Sequence, residues 1–299
     1  MTAYSAIDLS QLPAPDVIEQ LDFETILAEM LDSLRARDPS YTSTVESDPA
    51  YKVLEVAAYR ELLLRQRVND AARAVMLAYA RGADLDHIGA NYDVERLMID
   101  PGDPDAVPPV PPTFESNDEY RRRIQLSPEG YTTAGSEGSY VFHALGADGD
   151  VKDAQAVSPI PGHVTVYVLS RTGNGAAPGA LLGIVDDALN AETIRPMTDN
   201  VSVQSAAIVE YTVTAELVMY PGPDAEVVRS AAEAALVKYV EGVHRIGYDV
   251  TISGIYSALH QPGVQRVELA APLANIAIDD GEAGYCTAVA VTVAESTDV

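Results

Sequence analysis

The side chains able to do chemistry in this sequence are scattered. His87, His143, His163, His244 and His260 occur with no HExxH and no pair four residues apart, so no helix presents two imidazoles to one zinc ion by that route. Core or solvated histidines account for such spacing better. Asp84 and Asp86 beside His87, the trio Asp100, Asp103 and Asp105, and the pair Asp279 and Asp280 offer hard oxygen ligands. None carries the full calcium-loop pattern with its distal bidentate glutamate, and helix caps or loop solvation explain them at lower cost. Arg171-Thr172-Gly173-Asn174-Gly175 sits between an expected strand and an expected helix, where phosphate-binding turns occur. It lacks the third glycine of the dinucleotide spacing and no GK[ST] is present, so a glycine-rich surface loop is expected. No GxSxG occurs, and Cys286 stands near an apolar C-terminal strand with no identifiable base, as a small hydrophobe would. With 45 acidic residues some carboxylates must lie close in space, which makes a pair suited to glycoside hydrolysis nearly uninformative. The expectation is a protein with no catalytic residue, no metal and no cofactor; an acidic carboxylate-dependent hydrolase is the alternative, and a general scaffold module another.

Composition narrows the partners. The formal net charge is -26 with a pI near 4.3, which repels phosphate backbones and anionic bilayers, so neither nucleic acid nor membrane insertion is expected. One cysteine excludes an intramolecular disulfide and fits folding in a reducing cytoplasm. The start, MTAYSAIDLSQLPAPD, has no basic segment followed by an apolar one, so no signal peptide is expected. Aromatics are 6% of residues with no Trp, so the core must rest on Ala, Val, Leu and Ile.

Helical spacing dominates the first hundred residues. Asp16 is placed to cap a helix carrying Ile18, Leu21, Ile26, Leu27, Met30, Leu31 and Leu34, ending at Asp38-Pro39. Ser47 or Asp48 caps a second, with Pro49 in its first turn, expected to run unbroken to Arg81 and end at Gly82. Along it Leu54, Ala57, Leu64, Val68, Ala71, Val75 and Ala78 form a stripe interrupted at Glu61, and Leu62, Leu63, Ala72, Met76, Leu77 and Tyr79 widen the apolar surface beyond one face. Contacts on several sides follow from that width. A short helix is expected from His87 to Tyr92. The six prolines from Pro101 to Pro112 predict a linker without regular structure. A helix from Asn117 to Leu126, ended by Ser127-Pro128-Glu129-Gly130, gathers Arg121, Arg122 and Arg123 into the one concentrated basic patch.

The rest alternates short strands and helices. A helix reaching Leu145, strands Val151 to Val157 and Val164 to Leu169, a helix Ala180 to Leu189 and a strand Val201 to Ala207 make one module. A strand Tyr211 to Met219, helices Ala225 to Val240 and Ser253 to Leu259, and strands Val264 to Leu269 and Ala288 to Val293 make another. The helix-strand-strand order after Ala144-Leu145 echoes that after Ala258-Leu259, which suggests a tandem pair. The fold class is thus α+β, a helical N-terminal region with a long helix followed by tandem small α+β modules. The boundaries are 1–100 for the helical region, 101–133 for the linker and basic helix, 134–207 for the first module and 208–299 for the second.

Four stretches carry a family resemblance: LPAPDVIEQLDFE at Leu12 to Glu24, LEVAAYRELLLRQRVNDAARAVMLAYARGADLDHIGA at Leu54 to Ala90, EYRRRIQLSPEGYTTAGSEGSYVFHAL at Glu119 to Leu145, and RPMTDNVSV at Arg195 to Val203. They resemble the baseplate J-like proteins of contractile phages and phage-tail-like bacteriocins along nearly the whole chain. The resemblance implies a non-enzymatic wedge component, assembled in the bacterial cytoplasm and residing in a virion or tailocin baseplate. Implied partners are a second copy of the chain, a smaller I-family wedge protein, a sheath-initiator-type baseplate protein and the central hub or spike, with wedges joined in a ring around the hub. It assigns N-terminal helices to contacts within a wedge and the α+β parts to contacts between wedges. On the long helix Tyr51, Leu54, Tyr59, Arg60, Leu64, Arg65, Val68, Val75 and Tyr79 are the interface candidates, Tyr and Arg being efficient anchors. Packing within their own chain is an equal alternative on this periodicity. A complete phage, a bacteriocin particle and another contractile injection device would read alike.

Overall fold

The structure is a computed structural model that describes residues 7–9, 12–13, 15–41, 45–132, 135–221 and 224–294. Ala134, the expected first residue of the α+β modules, lies outside them. The chain divides into a helical unit, Ile7–Glu95, and an α+β unit beginning at Arg96.

In the helical unit, α1 (Phe23–Arg37) and α2 (Pro49–Ala74) pack on each other and α3 (Gly82–Ala90) follows. The first helix starts six residues later than Asp16 predicts. Asp22 is its cap, accepting from the Thr25 amide at 2.8 Å, which satisfies an amide left free at the helix start. Asp48 caps α2 and Pro49 takes its first position, where a missing N–H costs nothing. The second helix stops at Ala74, not Arg81. The chain turns over Val75–Tyr79, with the Ala80 amide bonded to the Met76 carbonyl at 2.8 Å, and Ala80 and Leu85 beyond it are buried. Gly82 therefore opens α3 at a φ of 52°, a left-handed conformation that glycine tolerates, and the short helix occupies Gly82–Ala90 instead of His87 to Tyr92. Ile26, Leu27 and Ala58 are the fully buried core, with Phe23, Met30, Leu31, Tyr51, Leu54 and Leu62 around them.

The α+β unit opens with the proline-rich segment, which is regular where a linker is expected. Strands β1 (Met98–Asp100) and β2 (Thr113–Phe114) pair antiparallel, and Asp103 and Val110 exchange two backbone hydrogen bonds of 2.9 Å between them. Prolines crowd the turn of this hairpin, where no ladder amide is required. Helix α4 (Asn117–Gly130) passes through Pro128 instead of stopping at Leu126. Proline leaves the Ile124 carbonyl without its amide donor, and the Ser127 hydroxyl donates to that carbonyl at 2.8 Å. Tyr120, Ile124 and Leu126 are buried, and α4 packs on α5 (Glu137–Ala147).

Two three-stranded sheets follow. In the first, β4 (His163–Ser170) is central, antiparallel to β3 (Val151–Ile160) and parallel to β5 (Asn200–Ser205), with α6 (Gly179–Leu189) forming the crossover. Val166 and Val168 meet Val185, Leu189 and Ala144 in its core. In the second, β6 (Ala207–Met219) is central, antiparallel to β7 (Val264–Ala271) and parallel to β8 (Glu282–Val293), with α7 (Ala225–Val243) and α8 (Ile252–Leu259) between β6 and β7. Tyr211, Val213, Ala215, Leu217 and Met219 alternate inward against Leu236, Ile255 and Leu259, while Glu210, Thr212, Thr214 and Glu216 face solvent. The echo does not survive as a repeat: β3 and β4 are neighbours, whereas β7 and β8 lie on opposite sides of β6. Two modules are present, each with one antiparallel and one parallel neighbour to its central strand, but the chain threads them differently.

Candidate assembly surfaces

Several of the residues considered for chemistry are packed into the structure, while His87, His163 and His260 are exposed. His244 caps α7, is buried, and places Nδ1 2.7 Å from the Gly284 carbonyl, and burial lowers its pKa. His143 is likewise depressed by burial. The loop at Arg171 is held inward. Its guanidinium pairs with Glu119 and bonds the Gly149 carbonyl at 2.8 Å. Burial works to raise the Glu119 pKa, yet Arg171 and the Ser116 bonds outweigh it and hold the carboxyl below its ordinary value. Cys286 is a free, half-buried thiol pushed up by burial. Among the described residues no three His, Cys, Asp or Glu side chains gather as a metal-binding group. Glu216 and Glu268 do stand opposite each other across β6 and β7, in an open depression of about 430 Å3 shared with Thr214 and Thr292. Both glutamates face solvent.

The expected basic patch dissolves into ion pairs. Arg121 bonds Asp118 at 2.6 Å, Arg122 reaches Asp153 at 2.9 Å, and the buried Arg123 pairs with the buried Glu115. Glu115 also accepts from the Leu97 amide at 2.8 Å, and Arg96 bonds the Glu115 carbonyl at 3.0 Å, so this network ties the hairpin to α4. Glu115 is missed by sequence reasoning because nothing in a lone Glu-Ser pair announces burial. Asp153 also joins the two modules, accepting from the Ile246 amide at 3.1 Å. Gln155 does the same through Asp280 and the Gly281 amide, both at 2.7 Å. Gly281 lies against the Tyr167 ring, where a Cβ would come within 2.7 Å, and its φ of 77° suits glycine alone.

One side of α2 is also uncommitted. Its inward side carries Tyr51, Leu54, Ala58, Leu62, Arg65 and Asn69. The buried Asn69, a second residue that sequence reasoning passes over, accepts from the Glu19 amide at 3.1 Å and donates to the Glu19 carbonyl at 2.9 Å. Arg65 bonds Glu61 at 2.5 Å and lies 3.6 Å from Glu19. On the opposite side Val53 is 67% exposed, Val56 65%, Leu64 67% and Val68 61%, with Tyr59, Arg60, Leu63 and Arg67 exposed among them. Val75, at 76%, sits just past the helix end, and Tyr79 is half-buried in the turn. The nine interface candidates thus split: Tyr51, Leu54 and Arg65 face α1 or its lead-in segment, Tyr79 lies in the turn, and Tyr59, Arg60, Leu64, Val68 and Val75 are open. The stripe read from spacing, interrupted at Glu61, is divided: Leu54 packs toward α1 while Leu64 and Val68 are exposed.

No described helix is long and apolar enough to cross a membrane. Contiguous exposed apolar surface of this kind marks protein association, and comparison with known proteins supplies its context. Residues 46–103 match the Baseplate J-like N-terminal domain, 132–205 the Baseplate J-like central domain and 211–292 the Baseplate J-like protein C-terminal domain. Baseplate protein J of Escherichia phage P2 is 52% identical over 299 residues, covering 98% of this chain and 99% of that protein. The chain belongs to the baseplate J-like family. This is a family of baseplate structural proteins, and the matched N-terminal segment contains the whole of α2. A chain of the anti-feeding prophage baseplate, solved by cryo-electron microscopy with six-fold symmetry, aligns with 62% of this chain and 44% of its own length at 14% identity and a TM-score of 0.39. That likeness is too slight to relate individual residues.

Proposed function

We propose that this chain is a non-enzymatic wedge component of a contractile-tail baseplate, built into the particle in the bacterial cytoplasm. In this reading it joins a second copy of itself and a smaller I-family wedge protein, and its α+β unit links wedges into a ring around the hub and spike, with a sheath-initiator-type protein above. The observation that carries it is the outward side of α2: Val53, Val56, Leu64 and Val68 are each more than 60% exposed on the longest helix of a baseplate J-like chain. Burying such side chains contributes roughly 25 cal/mol per Å2, enough over an extended obligate contact to hold a helical bundle. Leu64, Val68, Val75, Tyr59 and Arg60 would meet other chains directly, and Tyr51, Leu54, Arg65 and Tyr79 would support the helix from behind.

Co-expression of the full chain with its tail proteins tests this. Leu64→Glu/Val68→Glu should leave the isolated chain folded, since both sites are exposed, yet exclude it from purified baseplates, because an unpaired charge would be buried in the seam. Normal incorporation of this variant would show that α2 faces solvent in the particle.

A further inference from the structure

The proline-rich hairpin is anchored at its base and bare at its tip. At the base, Glu115 accepts from the Leu97 amide at 2.8 Å and pairs with Arg123 of α4. Gly149 backs onto Met98 of β1 so closely that a Cβ would collide with the Met98 carbonyl. Further out, Asp103 and Val110 exchange their two backbone hydrogen bonds, and Gly102, at a φ of 69°, lies against the backbone of Val110 and Pro111, where a Cβ would also collide. Past these contacts every residue from 107 to 114, Val-Pro-Pro-Val-Pro-Pro-Thr-Phe, is exposed. Val107 is 98% exposed, Val110 49% and Phe114 48%.

The chemistry of this run restricts what can cover it. Pro108, Pro109, Pro111 and Pro112 carry no N–H, so the segment cannot complete the edge of another sheet. Each proline fixes its own φ at about −65° and biases the residue before it toward extended backbone. Residues 109–112 are thereby restricted to conformations near the polyproline II helix, and the Asp103 pairing holds Val110 in place. Such a segment loses little freedom on binding, and its proline rings fit between aromatic side chains. Asp100, Asp103 and Asp105 stand exposed on the same hairpin. Asp100 and Asp103 each accept from a backbone amide, those of Gly102 and Asp105, which keeps both carboxylates at the turn.

We infer that residues 107–114 dock into a groove of a different protein, one floored by Trp or Tyr rings and rimmed by Lys or Arg that meet the three aspartates. A second copy is disfavoured, because this chain has no Trp and a formal charge of -26, which would repel the acidic hairpin. Residues 104–131 fall between the stretches that match the N-terminal and central domains of the family, so family membership does not supply this role. It is also independent of whether the outward side of α2 is buried on assembly.

The test places a photo-crosslinking benzoylphenylalanine at Val107 in the full chain, co-expressed with its tail proteins. Irradiation should give an adduct with a different protein, and mass spectrometry should map it to a peptide that holds Trp or Tyr beside Lys or Arg. A synthetic peptide of residues 104–114 in excess should suppress the adduct. The same peptide with Ala at the positions of Pro109, Pro111 and Pro112 should need about tenfold more to do so, since it must be ordered on binding. Pro109→Ala/Pro111→Ala/Pro112→Ala in the full chain, checked by circular dichroism, should lower the adduct yield to match. Asp100→Asn/Asp105→Asn should weaken the adduct at low salt and flatten its salt dependence. No adduct, or one with a second copy of this chain, with lipid, or with a peptide free of aromatic residues, would overturn the inference. Equal competition by the two synthetic peptides would do the same, whatever the fold of the substituted chain. Either failure would leave the reading of α2 standing, because Leu64→Glu/Val68→Glu tests that reading separately.

Discussion

The helical unit and the α+β unit use the same aliphatic residues to opposite ends. In the α+β unit, Val213, Leu217, Leu236, Ile255 and Leu259 are fully buried between a sheet and two helices. In the helical unit Ile26, Leu27 and Ala58 are buried where α1 meets α2, and Ala80, Leu85 and Val94 beyond them, while Val53, Val56, Leu64 and Val68 stay open. A sheet with helices on one face closes its own core and leaves a face of Thr and Glu to water. Two packed helices cover only one side of each, so apolar surface of α2 stays open within this chain. The difference separates residues that hold the fold from residues that the proposed function assigns to assembly.

The largest expected effect concerns where the self-sufficient unit begins. Because Tyr120, Ile124 and Leu126 are buried and Arg122 reaches Asp153, α4 belongs to the first module's core. A fragment from Arg96 should unfold cooperatively, whereas one beginning at Gly135 should lose several kcal/mol, at about 1.5–3 kcal/mol per buried side chain removed. Chemical denaturation of the two fragments measures this; equal stability would make α4 an appendage and the comparison false at its boundary.

Single substitutions sharpen the contrast. Leu236→Ala, at a fully buried site, should cost about 2–5 kcal/mol by transfer and cavity terms. Leu64→Ala on the open side of α2 should change the isolated chain's stability by no more than about 0.5 kcal/mol, and still weaken incorporation into baseplates. Urea midpoints of the two variants decide it. A Leu64→Ala loss as large as that of Leu236→Ala would mean that α2 is packed within its own chain.

The smallest effect is a pH slope from two histidines of the α+β unit. Burial lowers the pKa values of His143 and His244 from 6.5, so the folded state binds fewer protons than the unfolded one below that value. Their contribution is full above pH 6.5 and is lost as pH falls through 6.5 toward the folded values. Thermal unfolding from pH 7.5 downward should show this decline, and His244→Gln should flatten part of it. An unchanged slope in that variant would assign the effect elsewhere.

Strand positions in the α+β unit were legible because period-two alternation is a local signal: HVTVYVL and the run from Tyr211 to Met219 each announce which face is buried. Helix ends were less so. Asp22 caps the first helix where Asp16 was expected, and α2 stops at Ala74 ahead of the buried Ala80 and Leu85, an end that no local residue encodes. Pro128 read as a terminator because its compensation comes from the neighbouring Ser127 hydroxyl. The proline-rich segment read as a linker because its pairing at Asp103 and Val110 spans the turn.

By itself the sequence determined the family, the α+β class and a second helix that opens at Pro49, since residue order and periodicity carry that information directly. Only the tertiary structure decided which side of α2 its own chain covers, that β7 and β8 flank β6 instead of pairing, and that Arg121, Arg122 and Arg123 spend their charge on Asp118, Asp153 and Glu115. Those outcomes depend on contacts between residues distant in the chain or on the direction in which a side chain finds its partner. Local spacing constrains both only weakly, because the same stripe can be buried by its own chain or left for another.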